Sequence, residues 1–207
     1  MDRADKSPAS AGSPGLAQML TRRAVIDAAT KIYLDGESLD MRALAGGLGI
    51  GRSTLYRLVG NRADLLGIVL AEATERTFRQ SRDQAASAGG ADLILEVLNH
   101  FMHAVAMAPP LQALCAREPL QFVQLALNPG RIEQTASRLI AEMLQFEVDA
   151  GNLELPLPAA TVGVAIVRMC DAHLYAPLLG RTEPEIDTAL ELVAALLGQP
   201  WSPPQVN

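Results

Sequence analysis

Arg42, Arg52, Ser53, Thr54, Tyr56 and Arg57 stand close together in the chain, and as a set they offer the chemistry to which a nucleic-acid duplex responds. An arginine fork can bond guanine or pair with phosphate, serine and threonine hydroxyls reach phosphate or base edges, and a tyrosine hydroxyl anchors backbone. To act as one surface these side chains must project from short, rigid elements. The surrounding stretch, Leu39 to Leu66, reads LDMRALAGGLGIGRSTLYRLVGNRADLL. In it Asp40 can cap a short helix that runs through Met41, Leu44, Ala45 and Leu48, and Gly49 suits the position just past its end. A second short helix is expected over Ser53–Leu58, and Asn61 with Asp64 three residues on forms the pattern of a capping box for a third.

Leu44, Ala45, Leu48, Ile50, Leu55 and Val59 can close a miniature core between these pieces, leaving the arginines, hydroxyls and phenol outside. That is a helix-turn-helix arrangement. Charge supports it. The chain of 207 residues has a formal net charge of -6, which by itself argues against a polyanionic partner. Residues 1–62, however, hold nine Lys/Arg against six Asp/Glu, and the remainder holds eight against seventeen. A weakly basic head is thus joined to an acidic body with different work to do.

The elements that must carry this head are helical. Hydrophobic residues make up 49% of the chain and aromatic ones only 4%, with little alternation of β-branched residues, so an all-α fold is expected. Leu20, Ala24, Ala28 and Ile32 line one face of a first helix over 16–34. Further helices are predicted over 61–84, 92–107, 111–117, 119–127, 129–150, 159–179 and 184–197, separated by Gly, Pro and Asn punctuation. Residues 1–15 read as a disordered leader, 16–62 as the head, 63–200 as the body and 201–207 as a tail.

The pattern from Leu39 to Leu66 resembles the DNA-binding module of the TetR family of bacterial transcriptional regulators. The resemblance rests on Leu44-Ala45, Leu48-Gly49-Ile50, Thr54-Leu55-Tyr56 and the run from Asn61 to Leu66, and it is specific over roughly residues 16–70. Asp40 stands where the family usually has Thr, Arg62 where it has Lys, and Val59-Gly60 where a Phe is common. The resemblance implies a TetR-like fold: an N-terminal three-helix DNA-binding domain followed by a C-terminal helical ligand-binding and dimerisation domain. It also implies that Arg52, Ser53, Thr54, Tyr56, Arg57 and Leu58 meet the major groove of a double-stranded operator, flanked by Arg42 and Arg62, with Leu58 against a thymine methyl.

In the body, an apolar cavity with a few polar groups would suit a small-molecule effector. The candidate lining is Leu98, Phe101, Met102, His103, Val105, Leu114, Phe122, Met143, Phe146, Met169 and His173. An acyl-chain or lactone-like effector is preferred by resemblance, with aromatic or cationic drugs as the alternative. The last two helices carry apolar faces, Val162, Ile166, Val167, Leu174 and Leu178 on one and Ile186, Leu190, Val193 and Leu197 on the other. Two copies could join these faces in a four-helix homodimer interface. Repression released by the effector is the expected mode, with an activator, or a helical small-molecule-binding protein or enzyme, as alternatives.

Other chemical signals are weaker. The glycines from Gly46 to Gly51 follow no strand and precede no Lys, so no phosphate loop is expected. His100 and His103 share a helix face and could hold a metal only if Glu118 or Asp171 came near; pocket-lining or core histidines are the preferred reading. Cys170-Asp171-x-His173 has no nucleophile-elbow spacing. No catalytic residue, metal or cofactor is expected. Cys115 and Cys170 lie far apart, no secretory signal is visible, and Pro109-Pro110 interrupts the longest uncharged stretch. A cytoplasmic protein with no membrane segment is expected.

Overall fold

The computed structural model describes residues 14–127 and 130–200, all of whose regular elements are helices. Helix α1 spans Pro14–Leu34, α2 Met41–Gly47, α3 Arg52–Val59 and α4 Arg62–Gln84. They are followed by α5 (Gly90–Ala106), α6 (Pro109–Arg117), α7 (Pro119–Leu127), α8 (Arg131–Asp149), α9 (Ala159–Leu174) and α10 (Ile186–Leu196). The all-α expectation is met. Residues 1–13 of the expected leader and the expected tail, 201–207, lie outside the described residues; so does the side chain of Leu20.

Each boundary has a local cause. Helix α1 begins at Pro14, two residues before the expected start, because proline's fixed φ and missing N–H are tolerated in a first turn. Asp40 caps α2 by accepting hydrogen bonds from the backbone N–H groups of Arg42 (2.6 Å) and Ala43 (2.9 Å). Asn61 and Asp64 close the capping box of α4 in both directions, at 3.0 and 2.9 Å. Pro109 and Pro110 open α6 rather than merely preceding it. The expected helix over 159–179 divides: α9 stops at Leu174, and Ala176–Leu179 forms a 3-10 turn. Pro177 cannot continue an α-helix, since it has no N–H to donate to the preceding turn.

Two hydrophobic clusters result. One gathers Val25, Ile26 and Ala29 of α1 with Leu44, Ala45, Leu55, Leu58 and Val59, the first turns of α4, and Leu111, Leu114, Phe122 and Ala126 of α6 and α7. Ala24, expected on the apolar face of α1, is exposed instead. The other cluster joins the far half of α4 to α5, α8, α9 and α10 around Ile94, Leu98, Met102, Met143, Leu144, Ile166 and Leu190. Helix α4 runs through both and ties the head rigidly to the body. Helices α8 and α9 approach closely because Gly163 lies against the Ser137 carbonyl and Ala141, where a Cβ would crowd the backbone.

The apolar faces assigned to a partner copy turn inward. Val162, Ile166, Val167, Leu174, Ile186, Leu190, Val193 and Leu197 are all buried in the chain's own core, and Leu178 is partly buried against the head cluster. Packing α9 and α10 on α5 and α8 already consumes those faces. What α9 and α10 present outward is a stripe of small and mixed residues: Thr161, Ala165, Arg168 and Ala172 on α9, with Thr188, Leu192 and Ala195 on α10. No helix among the described residues is long and apolar enough to cross a membrane.

Candidate DNA interface and effector cavity

Helix α3 divides its side chains cleanly. Leu55, Leu58 and Val59 point into the head core, while Arg52, Ser53, Tyr56 and Arg57 are exposed and Thr54 is half-buried at its first turn. Tyr56 is 48% exposed, a large value for a big aromatic residue, and its phenol is therefore free for a partner. Between α2 and α3 the chain reverses at Gly49, whose φ of 65° lies in the left-handed region that glycine adopts without strain. Arg42 on α2 is exposed beside this turn. Asp40 is exposed too. Its carboxyl is held below the usual range by the Ala43 and Arg42 amides, so the negative charge is spent on the helix start.

Two of the expected DNA contacts are corrected. Leu58 is only 8% exposed and fills the head core, so it cannot reach a thymine methyl; it follows Leu55 at helical spacing on the inner face. Arg62 is also spoken for. Its Nε donates to the Leu39 carbonyl (2.6 Å), and its two terminal nitrogens donate to the Glu118 carboxylate (2.7 Å each), one of them also to Gln121. Glu118 stands at the corner between α6 and α7, so the guanidinium bridges head and body. The same pairing holds the Glu118 carboxyl below its ordinary range, chiefly through the Arg62 hydrogen bond. Next to it Arg117 donates to the carbonyls of Gly36 and Glu37, at the turn between α1 and α2.

The body holds two adjoining cavities that share Val105, Leu111 and Tyr175. The inner one, about 70 Å³, is bordered by Phe101, Phe122, Leu70, Ala73 and Ile132, with Tyr33, Thr74, Thr77, Asp171 and Tyr175 as its polar members. The outer one, about 250 Å³, is walled by Ala106, Gln112, Cys115, Leu174, Pro177, Leu178 and Pro184. Burial, with the nearby Glu133 charge, pushes the Asp171 carboxyl up to about 7. Burial likewise raises the Tyr33 phenol to about 12 and the Cys115 thiol to about 11.

Of the residues expected to line an effector site, Phe101, Val105 and Phe122 border the inner cavity. Leu98, Met102 and Met143 are instead sealed in the body core, Met169 packs on its edge, and Leu114 belongs to the cluster beneath the head. Phe146 faces outward, 59% exposed, with the Arg82 guanidinium 6.0 Å above its ring. His103 is exposed and turned to the Asn99 carbonyl, and His173 pairs with Glu185 at 3.0 Å. His100 lies near Gln84 and Glu96, apart from Glu118 and Asp171 as ligands. Among the described residues no three His, Cys, Asp or Glu side chains gather as metal ligands. The cavity residues that periodicity missed carry a local signal nonetheless: Thr74 and Thr77 are polar residues one turn apart on α4, and Asp171 is the lone acid on α9.

Residues 89–198 match the family model described as "Tetracyclin repressor-like, C-terminal domain". No curated protein matches the chain. Among solved structures, the transcriptional repressor QsdR of the TetR family from R. erythropolis is 52% identical, covering 89% of this chain and 97% of its own, with a TM-score of 0.87. The TetR family repressor AlkX from Dietzia sp. strain DQ12-45-1b is 20% identical over 91% of this chain and 96% of its own, with a TM-score of 0.60, and shares the fold. An exposed helix-turn-helix face, a C-terminal half that fits the repressor-like model and a repressor relative at 52% identity place this chain in the TetR family of transcriptional regulators.

Proposed function

We propose that the protein is a repressor that binds a near-palindromic operator as a homodimer and leaves it when a small, partly hydrophobic effector enters the body. The observation that carries this reading is the division of α3, with Arg52, Ser53, Tyr56 and Arg57 outside and Leu55, Leu58 and Val59 inside, on a head fastened to a cavity-bearing body. The functional division falls near residue 62: 16–62 read DNA and 63–200 sense and dimerise. Arg42 and Thr54 support the contact from the flanks, and Arg62 serves the joint instead.

Dimerisation supplies two α3 helices at the separation of successive major grooves, about 34–36 Å. The outward stripe of α9 and α10 is the face for the second copy, because small side chains at Ala165 and Ala172 permit close helix approach and Leu192, 44% exposed, offers an apolar anchor. For the effector, an apolar wall with a cluster of hydroxyls favours an acyl-chain or lactone-like molecule. The QsdR relative is a repressor, which supports repression as the mode here.

Release needs a path from cavity to head. Helix α6 supplies one: Leu111 borders both cavities, Cys115 the outer one, and the same helix ends in Arg117 and Glu118, which grip the α1–α2 turn and Arg62. Helix α4 supplies the other, since Ala73, Thr74 and Thr77 border the cavity and its N-terminus adjoins α3. An effector that favours one arrangement of these helices shifts the spacing of the two heads.

Selection of binding sites from random duplex DNA by the purified protein tests the whole reading. A two-fold symmetric consensus is expected; enrichment of no sequence overturns it. Glu118→Ala tests the joint. The variant should still bind the selected site, yet need several-fold more effector for the same release, as measured by fluorescence anisotropy of labelled operator. An effector response equal to that of the wild type would remove the Arg62–Glu118 joint from the mechanism.

A further inference from the structure

The inner cavity has an unusual charge inventory. Its lining contains no Lys, Arg or His, and its single carboxyl is that of Asp171. The other polar members, Tyr33, Thr74, Thr77 and Tyr175, are hydroxyls, each able to donate one hydrogen bond and to accept others. Asp171 has no hydrogen-bond or ion-pair partner among the described residues, although Arg168, three residues earlier, is exposed and pairs with Glu133 at 2.8 Å. A carboxyl that borders a void in apolar surroundings without a donor to hold it ionised is costly as an anion. Up to about pH 7 it keeps its proton and can offer it; above that it is an anion beside the void.

We infer that Asp171 is a charge filter: the cavity accepts apolar molecules with an uncharged, hydrogen-bond-accepting head, such as an ester or amide carbonyl, and rejects the corresponding carboxylates. This rests on the reading of the cavity as the effector site and names the class of head it takes. The carbonyl oxygen of a neutral head accepts from the hydroxyls, and from Asp171 as well while it keeps its proton, and the chain follows the apolar wall through Val105, Leu111 and Tyr175 into the outer cavity. A carboxylate head would meet no cation in the lining, and above about pH 7 the ionised Asp171 would oppose its charge. A cationic head fits less well, because a carboxylate kept for a cation needs donors that hold it ionised in the empty site, and none is present. The charged and titratable groups around Asp171 are Glu133 from α8, with Cys170 and Tyr175 on its own stretch; Tyr33 of α1 shares the cavity, and the exposed Arg76 of α4 acts on the Tyr33 phenol from outside the lining.

A regulator with such a filter reads the neutral compound and falls silent once a hydrolase has converted it to the acid. The reaction that ends its signal is therefore ester, lactone or amide hydrolysis, which turns an acceptor head into an anion.

The test uses a matched pair of probes, methyl octanoate and octanoate, titrated calorimetrically into the full-length protein at pH 8. The ester is expected to bind at least tenfold more tightly than the acid. In Asp171→Asn, which keeps the size and removes the charge, octanoate should gain affinity until the two differ by less than threefold. Equal binding of the pair by the wild type, an undiminished gap in Asp171→Asn, tighter binding of octylammonium than of the ester, or binding of neither probe overturns the filter. The wild-type comparison decides the matter even if the variant folds poorly. Ala73→Leu, which narrows the inner cavity, separates the two levels of the argument. Ester binding that survives this change places the effector elsewhere and removes the cavity reading itself, whereas ester binding lost together with a missing preference removes the filter alone.

Discussion

Arg52→Ala should lower affinity for the selected operator by about tenfold or more, corresponding to the roughly 1–3 kcal/mol that a well-placed arginine contributes to discrimination at a base pair. Arg52 opens α3, is exposed, and has no carboxylate partner among the described ion pairs, so its guanidinium is unoccupied until DNA arrives. Loss of the side chain should leave folding within about 0.5 kcal/mol of the wild type, since no packing depends on it. The effect should also be uneven: the penalty for altering one base pair of each half-site should shrink in the variant, while the other positions keep theirs. Tyr56→Phe removes only the exposed phenol oxygen and should weaken all sequences about equally, as a backbone contact does. Anisotropy titrations of the operator and its single-base variants at one fixed salt concentration measure both. Unchanged affinity in both variants would mean that α3 does not enter the groove.

Asp171→Asn should make the protein more stable above about pH 4, with the full gain reached at neutral and higher pH. The Asp171 carboxyl has an ordinary value of 3.8 and is raised to about 7 in the fold, first by burial and then by Glu133. Between those two values the folded chain retains a proton that the unfolded chain has released. Wild-type stability therefore falls as pH rises across this window and levels off above it. At 1.36 kcal/mol per unit the full loss is on the order of 4 kcal/mol, an upper figure because the cavity admits water. The asparagine variant has no proton to lose. Its urea midpoint should match the wild type near pH 4 and exceed it at pH 8, in a window where Tyr33, Tyr175 and Cys115 remain protonated. Parallel midpoints at both pH values would show that Asp171 ionises freely in the fold and would remove the physical basis of its high value.

How far each feature of this chain is legible in its sequence follows the range of the interactions that set it. Caps and punctuation act within one turn, so Asp40, Gly49 and the Asn61–Asp64 box marked the head's helices in the sequence alone. Leu58 escaped the same logic because an eight-residue helix offers few positions from which to locate its inner face, and the packing of α1 decides the matter. Arg62 was read as one more cation for DNA. Its carboxylate partner lies 56 residues away, and no local pattern reports that pairing. The inner cavity was legible only in part for a related reason. Phe101, Val105 and Phe122 share their apolar character with Leu98, Met102 and Met143, and whether such a residue meets a void or a neighbour depends on how well five helices fit together.

Heptad-scale periodicity, capping residues and the placement of Gly and Pro were enough to determine an all-helical chain, the order of its helices, and a basic helix-turn-helix head resembling TetR-family regulators. These properties arise from interactions spanning a few residues and survive in the linear text. Only tertiary packing decided which apolar faces are consumed internally: α9 and α10 turn theirs into the body and leave a small-residue stripe outside. Packing also recruited Arg62 and Glu118 as a joint and left Asp171 unpaired beside a void. In each case the outcome depends on atoms that are neighbours in space but distant along the chain, and on the cost of burying a charge without a partner.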